Sequence, residues 1–131
     1  MSETINIALL GLGAVGQEFA AHFLEQIQEG HKPIKIVAVA EKDVKSPFAM
    51  GFAQNNVPVF EDACDVATLG DQVDIIFDLT GNADIRQSLR NALQESDNRH
   101  TVIAPEVFAR LLWNFFDGAA PNLPKRKNGG Y

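Results

Sequence analysis

Short apolar runs of strand length alternate along this chain with longer segments whose apolar residues recur at helical spacing. This alternation is typical of βαβ units, in which helices cover both faces of a parallel sheet. The apolar runs are residues 5–10, 34–40, 57–60, 74–79 and 101–104. With right-handed crossovers, these five strands predict an α/β fold, a doubly wound parallel sheet of strand order 3-2-1-4-5. Pro58 lacks an amide donor, which places the third strand at an edge of the sheet, as this order requires.

The segments between the strands carry start and stop signals of helices. Ser46 followed by Pro47 predicts an N-cap and a first helical residue, and Asn82 predicts a cap for the helix after the fourth strand. Gly30 ends the first helix and Gly118 ends the last. The predicted helices span residues 14–29, 48–55, 83–95 and 106–117, with a helical link over 62–69.

The length of the chain bounds the number of domains. A chain of 131 residues, 46% hydrophobic and 21% charged, is typical of one globular domain, so a separate substrate domain has no room. We expect this domain to span residues 1–118. Residues 119–131 are rich in Pro, Gly and charge, which favours a flexible basic tail.

The charge balance disfavours two classes of partner. Residues 1–124 hold eight basic and all seventeen acidic residues, a net charge of −9, so neither a nucleic acid nor an anionic membrane surface is expected to bind. The sequence has no secretory signal and no apolar stretch of about 20 residues that could span a bilayer. The single cysteine, Cys64, excludes an internal disulfide, and together these features predict a cytoplasmic protein.

The motif G-x-G-x-x-G occupies residues 11–16, directly after the first strand and at the start of the first helix. In this context Gly11 permits a tight turn, Gly13 lets a pyrophosphate approach the backbone, and Gly16 lets the helix pack closely on the strand. Backbone amides and the positive end of the helix dipole would hold the anion without a basic side chain. The candidate residues are Gly11, Leu12, Gly13, Ala14, Val15 and Gly16. The alternative is that the glycines only make a tight strand-to-helix turn.

Glu41 ends the second strand, where a carboxylate faces the glycine turn and can accept hydrogen bonds from the adenosine ribose. The 2′-phosphate of NADP would lie against this carboxylate and be repelled, which favours NAD. NADP stays possible, because Lys42 and Lys45 follow closely and either could offset the repulsion. The alternative for Glu41 is an ordinary surface carboxylate.

The end of the fourth strand supplies the remaining candidates, because ligands of open α/β sheets bind in the crevice where connections diverge to opposite faces. Gly81 would leave room there for a ribose or a nicotinamide. Asp78 could bind a hydroxyl or tie down the neighbouring backbone, and the sequence leaves both open. The candidates are Asp78, Leu79, Thr80, Gly81 and Asn82.

Other chemistry lacks a matching pattern in the sequence. No spacing of His, Cys, Asp or Glu indicates a metal site, and no arrangement indicates a catalytic nucleophile or a proton-exchanging group. We therefore expect neither a catalytic constellation nor a metal site in this chain.

The last helix has more apolar residues than one sheet face needs. Its spacing predicts a buried stripe, with further apolar side chains partly outside it. The predicted stripe is Phe108, Leu111, Leu112 and Phe115, and the residues outside it are Val107, Trp113 and Phe116. The surplus favours a partner at this helix, either a homodimer or a partner chain, and the alternative is a broad core face.

Residues 11–16, 37–41 and 74–82 resemble the NAD(P)-binding domain of homoserine dehydrogenase and aspartate dehydrogenase, a Rossmann domain. The likeness covers residues 5 to about 105 and implies a pyrophosphate site at the glycines, a ribose site at Glu41, and a nicotinamide side at residues 80–82. In that family the catalytic lysine or histidine lies in a second domain, which this sequence lacks. Residues 101–113 also resemble the end of small Rossmann domains attached to bacterial sensor proteins.

These observations favour a dinucleotide-binding or sensing module without chemistry of its own. The alternative is the cofactor-binding half of an oxidoreductase whose substrate domain is on another chain. A third interpretation is an interaction protein that has kept the fold and lost the ligand.

Overall fold

A five-stranded parallel sheet forms the centre of the computed structural model, which describes residues 4–116. Its strands are β1 (Ile5–Leu10), β2 (Ile34–Ala40), β3 (Val59–Phe60), β4 (Ile75–Asp78) and β5 (Val102–Pro105). They lie in the order β3-β2-β1-β4-β5, which confirms the predicted α/β fold and strand order. The third strand is two residues shorter than predicted: its register with β2 begins at Val59, and the Pro58 carbonyl accepts a hydrogen bond from the Val39 amide (3.0 Å).

Within the described residues, three α-helices and one 3-10 segment connect the strands, and a fourth helix follows β5. The helices are α1 (Ala14–Glu29), α2 (Pro47–Gln54), α3 (Ala83–Glu95) and α4 (Glu106–Trp113), and the 3-10 segment spans Ala63–Gln72. The capping signals are confirmed: the Ser46 side chain accepts from the Ala49 amide, and Asn82 accepts from the amides of Asp84 and Ile85. Among residues 4–116, no helix is long and apolar enough to cross a membrane.

The register of the central strands brings three loops to one edge of the sheet. Leu10 of β1 lies opposite Ala40 of β2 and Asp78 of β4. The next residues continue the ladder, since the Gly11 amide donates to Ala40 O (2.8 Å) and the Leu79 amide donates to Leu10 O (2.9 Å). The chain therefore leaves β1, β2 and β4 side by side at the carboxyl edge, where ligands of such sheets bind.

Two apolar layers hold this edge in place, one on each face of the sheet. On one face α1 and α4 pack around a group of aromatic rings: Phe19, Phe23, Phe77, Trp113 and Phe116. On the other face the 3-10 segment and α3 cover the sheet. Val66 and Leu89 of these elements form one apolar cluster with Leu10 of β1 and Ile76 of β4. The sheet is thus buried on both sides, as its nearly continuous apolar strands require.

The predicted stripe of the last helix is wrong for three of its four residues. Phe108, Leu111 and Phe115 are exposed, and Phe115 keeps 75% of its surface. Ala109 and Trp113, one turn apart, face the core instead, with Leu112 partly buried. Because apolar residues occur on all sides of this helix, their spacing alone could not show which side faces the core.

The boundaries at the carboxyl end also differ from the prediction. The last helix ends at Trp113 and not at residue 117. The predicted stop at Gly118 and the predicted basic tail over 119–131 lie outside the described residues.

Candidate functional site

The loops that follow β1, β2, β3 and β4 surround a cavity of about 970 Å³ at the carboxyl edge of the sheet. Three segments predicted separately from the sequence meet there. The predicted residues that line the cavity are Gly11, Gly13, Glu41, Lys42, Leu79, Thr80 and Asn82. We call this cavity the carboxyl-edge cleft.

Two of the three motif glycines are required by the turn itself. Gly11 has a φ of +88°, and a Cβ there would lie 3.0 Å from the backbone of Thr80. A Cβ on Gly16 would lie 1.9 Å from the carbonyl oxygen of Gly11. The first turn of α1 therefore packs directly on the glycine turn, and any side chain at Gly16 would displace it.

Gly13 differs from the other two glycines. It is the N-cap of α1 with a φ of −76°, a conformation open to any residue. A Cβ at this position would meet no described atom within 4 Å, and Gly13 itself lines the cleft. A tight turn accounts for Gly11 and Gly16 but not for Gly13, whose missing side chain leaves space inside the cleft.

The amino end of α1 begins at this space, because its N-cap, Gly13, lines the cleft. Among the described residues no side chain caps the helix at Gly13, and its first turn contains no acidic residue. The first amides of a helix have no acceptor within the helix, and they carry the positive end of its dipole. The amides of Ala14, Val15 and Gly16 therefore belong to a helix end suited to an anion.

The Leu12 amide is engaged by a protein group. It donates to Glu41 Oε1 (2.9 Å), while the Leu12 side chain is buried in the core. The expectation that the Leu12 amide is free to bind an anion is therefore wrong. Glu41 lies against the glycine turn, as expected, and its second oxygen accepts from the Asp43 amide (3.3 Å).

The residues after β4 divide into two groups. Asp78 is buried, and its Oδ1 accepts from the amide (3.1 Å) and the hydroxyl (2.6 Å) of Thr80. Its Oδ2 lies 3.9 Å from Arg86 Nε, so this carboxylate ties down the loop in the way the sequence left open. Gly81 has a φ of +70° and turns the chain toward α3, while Leu79, Thr80 and Asn82 line the cleft.

One wall of the cleft is formed by the chain after β3, which contains none of the residues predicted from the sequence. Glu61, Asp62, Ala63 and Asp65 line it, and Ala40 and Ile85 complete the lining. Burial, followed by the charges of Asp62 and Asp65, raises the pKa of the Cys64 thiol above its usual value. The available signal was positional, because residues that follow a third parallel strand emerge at the same edge.

The part of the chain that the structure describes contains no group of three His, Cys, Asp or Glu side chains arranged to hold a metal ion. The cleft therefore offers carboxylates, one ammonium group, a helix amino end and small polar side chains as its chemistry.

The sequence of this chain matches a known protein family. Residues 11–106 match the sequence model described as the homoserine dehydrogenase, NAD binding domain. This chain belongs to that family. The resemblance to this domain drawn from the sequence is confirmed, and NAD binding is the property for which the family is described.

Solved structures agree with this assignment. The chain is similar to a homoserine dehydrogenase of S. aureus at pH 6.5, with 27% identity and a TM-score of 0.59, over 86% of this chain and 29% of that one. A homoserine dehydrogenase from Thiobacillus denitrificans shares the fold at 22% identity and a TM-score of 0.55, over 86% of this chain and 26% of that one. The chain thus spans less than a third of either neighbour, and no curated protein matches it.

Proposed function

We propose that this domain binds NAD(H) in the carboxyl-edge cleft and serves as the cofactor-binding part of a dehydrogenase-type oxidoreductase. The observation that supports this most directly is Gly13, where the chain leaves open space at the amino end of α1 without any steric need for glycine. A Cβ would project into this space, which suits a pyrophosphate approaching the backbone.

The dinucleotide would lie across the cleft, with its adenosine end at the residues after β2 and its nicotinamide end at the residues after β4. The pyrophosphate would accept hydrogen bonds from the first-turn amides of α1, and the dipole of the helix would offset its charge. Glu41, half-buried at the end of β2, would accept from the ribose hydroxyls with the oxygen capacity it does not use for Leu12 and Asp43.

The loop after β4 would hold the nicotinamide end. Leu79 and Ile85 supply apolar surface, and Thr80 and Asn82 supply polar atoms at the same side of the cleft. Asp78 fixes this loop through Thr80, so it acts as a positioning residue. NAD, when bound, supplies the hydride acceptor, and the chain's own contribution is to orient the nicotinamide and shield one face of it.

Family membership supports the oxidoreductase role over the non-catalytic sensing module favoured from the sequence. The matched family is a domain of a dehydrogenase, and the solved dehydrogenase chains are more than three times as long as the region they share with this one. The remaining chemistry would come from another domain or chain, in the cytoplasm as the sequence predicted.

The outer face of α4 would contact that partner. Val107, Phe108 and Leu111 are exposed there, with Phe115 exposed just beyond the helix, all after the last residue matched to the family. An exposed apolar group of this kind is typical of an interface, either with a partner chain or with a second copy.

Calorimetric titration with NADH tests the binding proposal, using Gly13→Ala as the variant. We expect wild-type binding and at least a tenfold loss of affinity in Gly13→Ala, because the added methyl group projects into the space for the pyrophosphate. Gly51→Ala is the matched control: its Cβ also meets no described atom within 4 Å, but Gly51 lies in α2 and outside the cleft lining.

Either of two results would overturn the binding proposal. One is a wild-type protein that gives no heat with millimolar NADH, and the other is a folded Gly13→Ala variant that binds NADH as tightly as the wild type. The oxidoreductase role is tested separately, by measuring whether NADH oxidation appears when co-purifying native proteins are added.

A further inference from the structure

We propose that the wall of the cleft formed by Glu61, Asp62 and Asp65, here called the acidic wall, rejects dinucleotides with a phosphate on the adenosine ribose and so makes this site selective for NAD. This inference rests on the proposed function and adds the selectivity of the same site. It concerns residues beyond the glycine motif and beyond Glu41.

The sheet itself places the acidic wall beside Glu41. Ala40 of β2 pairs with Phe60 of β3, and the Glu41 amide donates to Phe60 O (2.9 Å). The next residue on each strand is a glutamate, so Glu41 and Glu61 emerge from neighbouring parallel strands, whose spacing is about 5 Å. The 2′ position of a ribose held by Glu41 would therefore face Glu61 as well.

The 3-10 segment holds the rest of the wall. Asp62 lines the cleft and is the N-cap of this segment, where its Oδ1 accepts a hydrogen bond from the Cys64 amide (2.9 Å) that holds the carboxylate in place. Asp65 follows in the first turn of the segment and also lines the cleft. Burial first, and then the charges of both aspartates, raise the pKa of the Cys64 thiol, so the two carboxylates lie close enough to act on the same group.

The positive charge available to balance this wall is small. Within the described residues, Lys42 is the only basic side chain in the cleft lining, against the carboxylates of Glu41, Glu61, Asp62 and Asp65. Lys42 is exposed, as are Glu61, Asp62 and Asp65, so solvent screens the attraction and the repulsion alike, and the excess of carboxylates decides the sign. Lys45, which the sequence offered as a second cation, is not among the lining residues.

NAD itself would be repelled much less by the carboxylates of the acidic wall. Its two negative charges are on the pyrophosphate, which the amino end of α1 would hold on the far side of Glu41 from the acidic wall. Its ribose hydroxyls are neutral donors that suit carboxylate acceptors. A 2′-phosphate would add up to two further negative charges to a cleft whose lining already contains the carboxylates of Glu41, Glu61, Asp62 and Asp65.

The test compares dissociation constants for NADH and NADPH by calorimetry at low ionic strength. In the wild type we expect NADPH to bind at least 30-fold more weakly than NADH. In the triple variant Glu61→Gln/Asp62→Asn/Asp65→Asn we expect this ratio to fall below about fivefold, mainly through tighter NADPH binding. The Asp62→Asn change keeps a side-chain oxygen that can accept from the Cys64 amide, so the cap of the 3-10 segment is retained.

A second triple variant controls for net charge. Glu29→Gln/Asp71→Asn/Glu95→Gln removes the same number of negative charges from exposed carboxylates outside the cleft lining. We expect it to keep the wild-type ratio. Added salt should reduce the wild-type ratio and leave that of the wall variant nearly unchanged, because screening acts on the repulsion that the wall supplies.

Three results would overturn the inference while leaving the proposed function intact. They are equal affinity of the wild type for NADH and NADPH, an unchanged ratio in the wall variant, and an equal fall of the ratio in the control variant. If neither dinucleotide binds to the wild type, the proposed function itself fails and the inference falls with it.

Discussion

At the amino edge of the sheet the loops bond to one another, whereas at the carboxyl edge they surround a cavity of about 970 Å³. Asp74, before β4, accepts from the Asn6 amide (2.7 Å) and from His100. Thr101, before β5, donates to Val73 O (2.6 Å). At the amino edge these polar groups join strands, beside a smaller cavity of about 510 Å³ next to Thr101, whereas at the carboxyl edge polar groups line the larger cleft.

Because the two edges use their polar groups differently, stability and NADH binding should be separable by mutation. A change at the amino edge should alter only the free energy of unfolding. A change at the carboxyl edge should alter NADH binding, with or without a loss of stability, according to whether the residue supports the turn or only lines the cleft. Three predictions test this contrast.

The largest effect is expected for Gly16→Ala. The new Cβ would lie 1.9 Å from the Gly11 carbonyl oxygen, so α1 must move away from the turn, and we expect a loss of about 3 kcal/mol or more in unfolding free energy. Denaturant unfolding measures this loss. Gly13→Ala should be nearly as stable as the wild type, and equal stability losses at both glycines would contradict the division between them.

A smaller effect is expected for Asp78→Ala. Removing this buried carboxylate leaves the Thr80 amide and hydroxyl without their acceptor, and we expect a loss of about 2 kcal/mol in unfolding free energy. Because Thr80 lines the cleft, NADH affinity should fall as well. Asp78→Asn keeps an acceptor oxygen and should retain most of both properties; full NADH affinity in Asp78→Ala would show that the loop does not depend on this residue.

The smallest effect concerns pH and the amino edge. The Asn6 amide, with His100, holds the pKa of Asp74 below its ordinary value of 3.8. The stability that this lowered pKa contributes is fully present above pH 3.8 and is lost as the pH falls through the folded-state pKa.

Denaturant unfolding of the wild type and Asp74→Asn across this acidic range measures the effect. The wild type should lose more stability on acidification than Asp74→Asn does. At neutral pH both proteins should bind NADH equally. A weaker affinity in Asp74→Asn would contradict the claim that changes at the amino edge leave NADH binding unaffected.

The strands, helix starts and glycine turn that frame the cleft could be predicted from the sequence, because each depends on a local sequence signal. The apolar runs predicted the strand order, and the caps at Ser46 and Asn82 predicted where two helices begin. The glycine motif predicted the turn. These features depend on residues close together in the chain, so a single sequence reveals them.

The remaining features depend on tertiary placement. The inward face of α4 could not be predicted because its apolar residues surround the helix. The acidic wall follows a strand of only two residues, and pairing with β2 brings it to Glu41. The hydrogen bond from Leu12 to Glu41 joins residues 29 apart, and no spacing rule predicts it.

That last hydrogen bond has a consequence for the kinetics of dinucleotide capture. The Glu41 carboxylate holds the glycine turn at Leu12 once the chain has folded, so the turn does not have to be rebuilt when a nucleotide arrives. Association should then follow a single exponential whose rate rises linearly with NADH concentration. Replacing Glu41 by alanine should add a slower kinetic phase, because the glycine turn would then have to become ordered each time NADH binds.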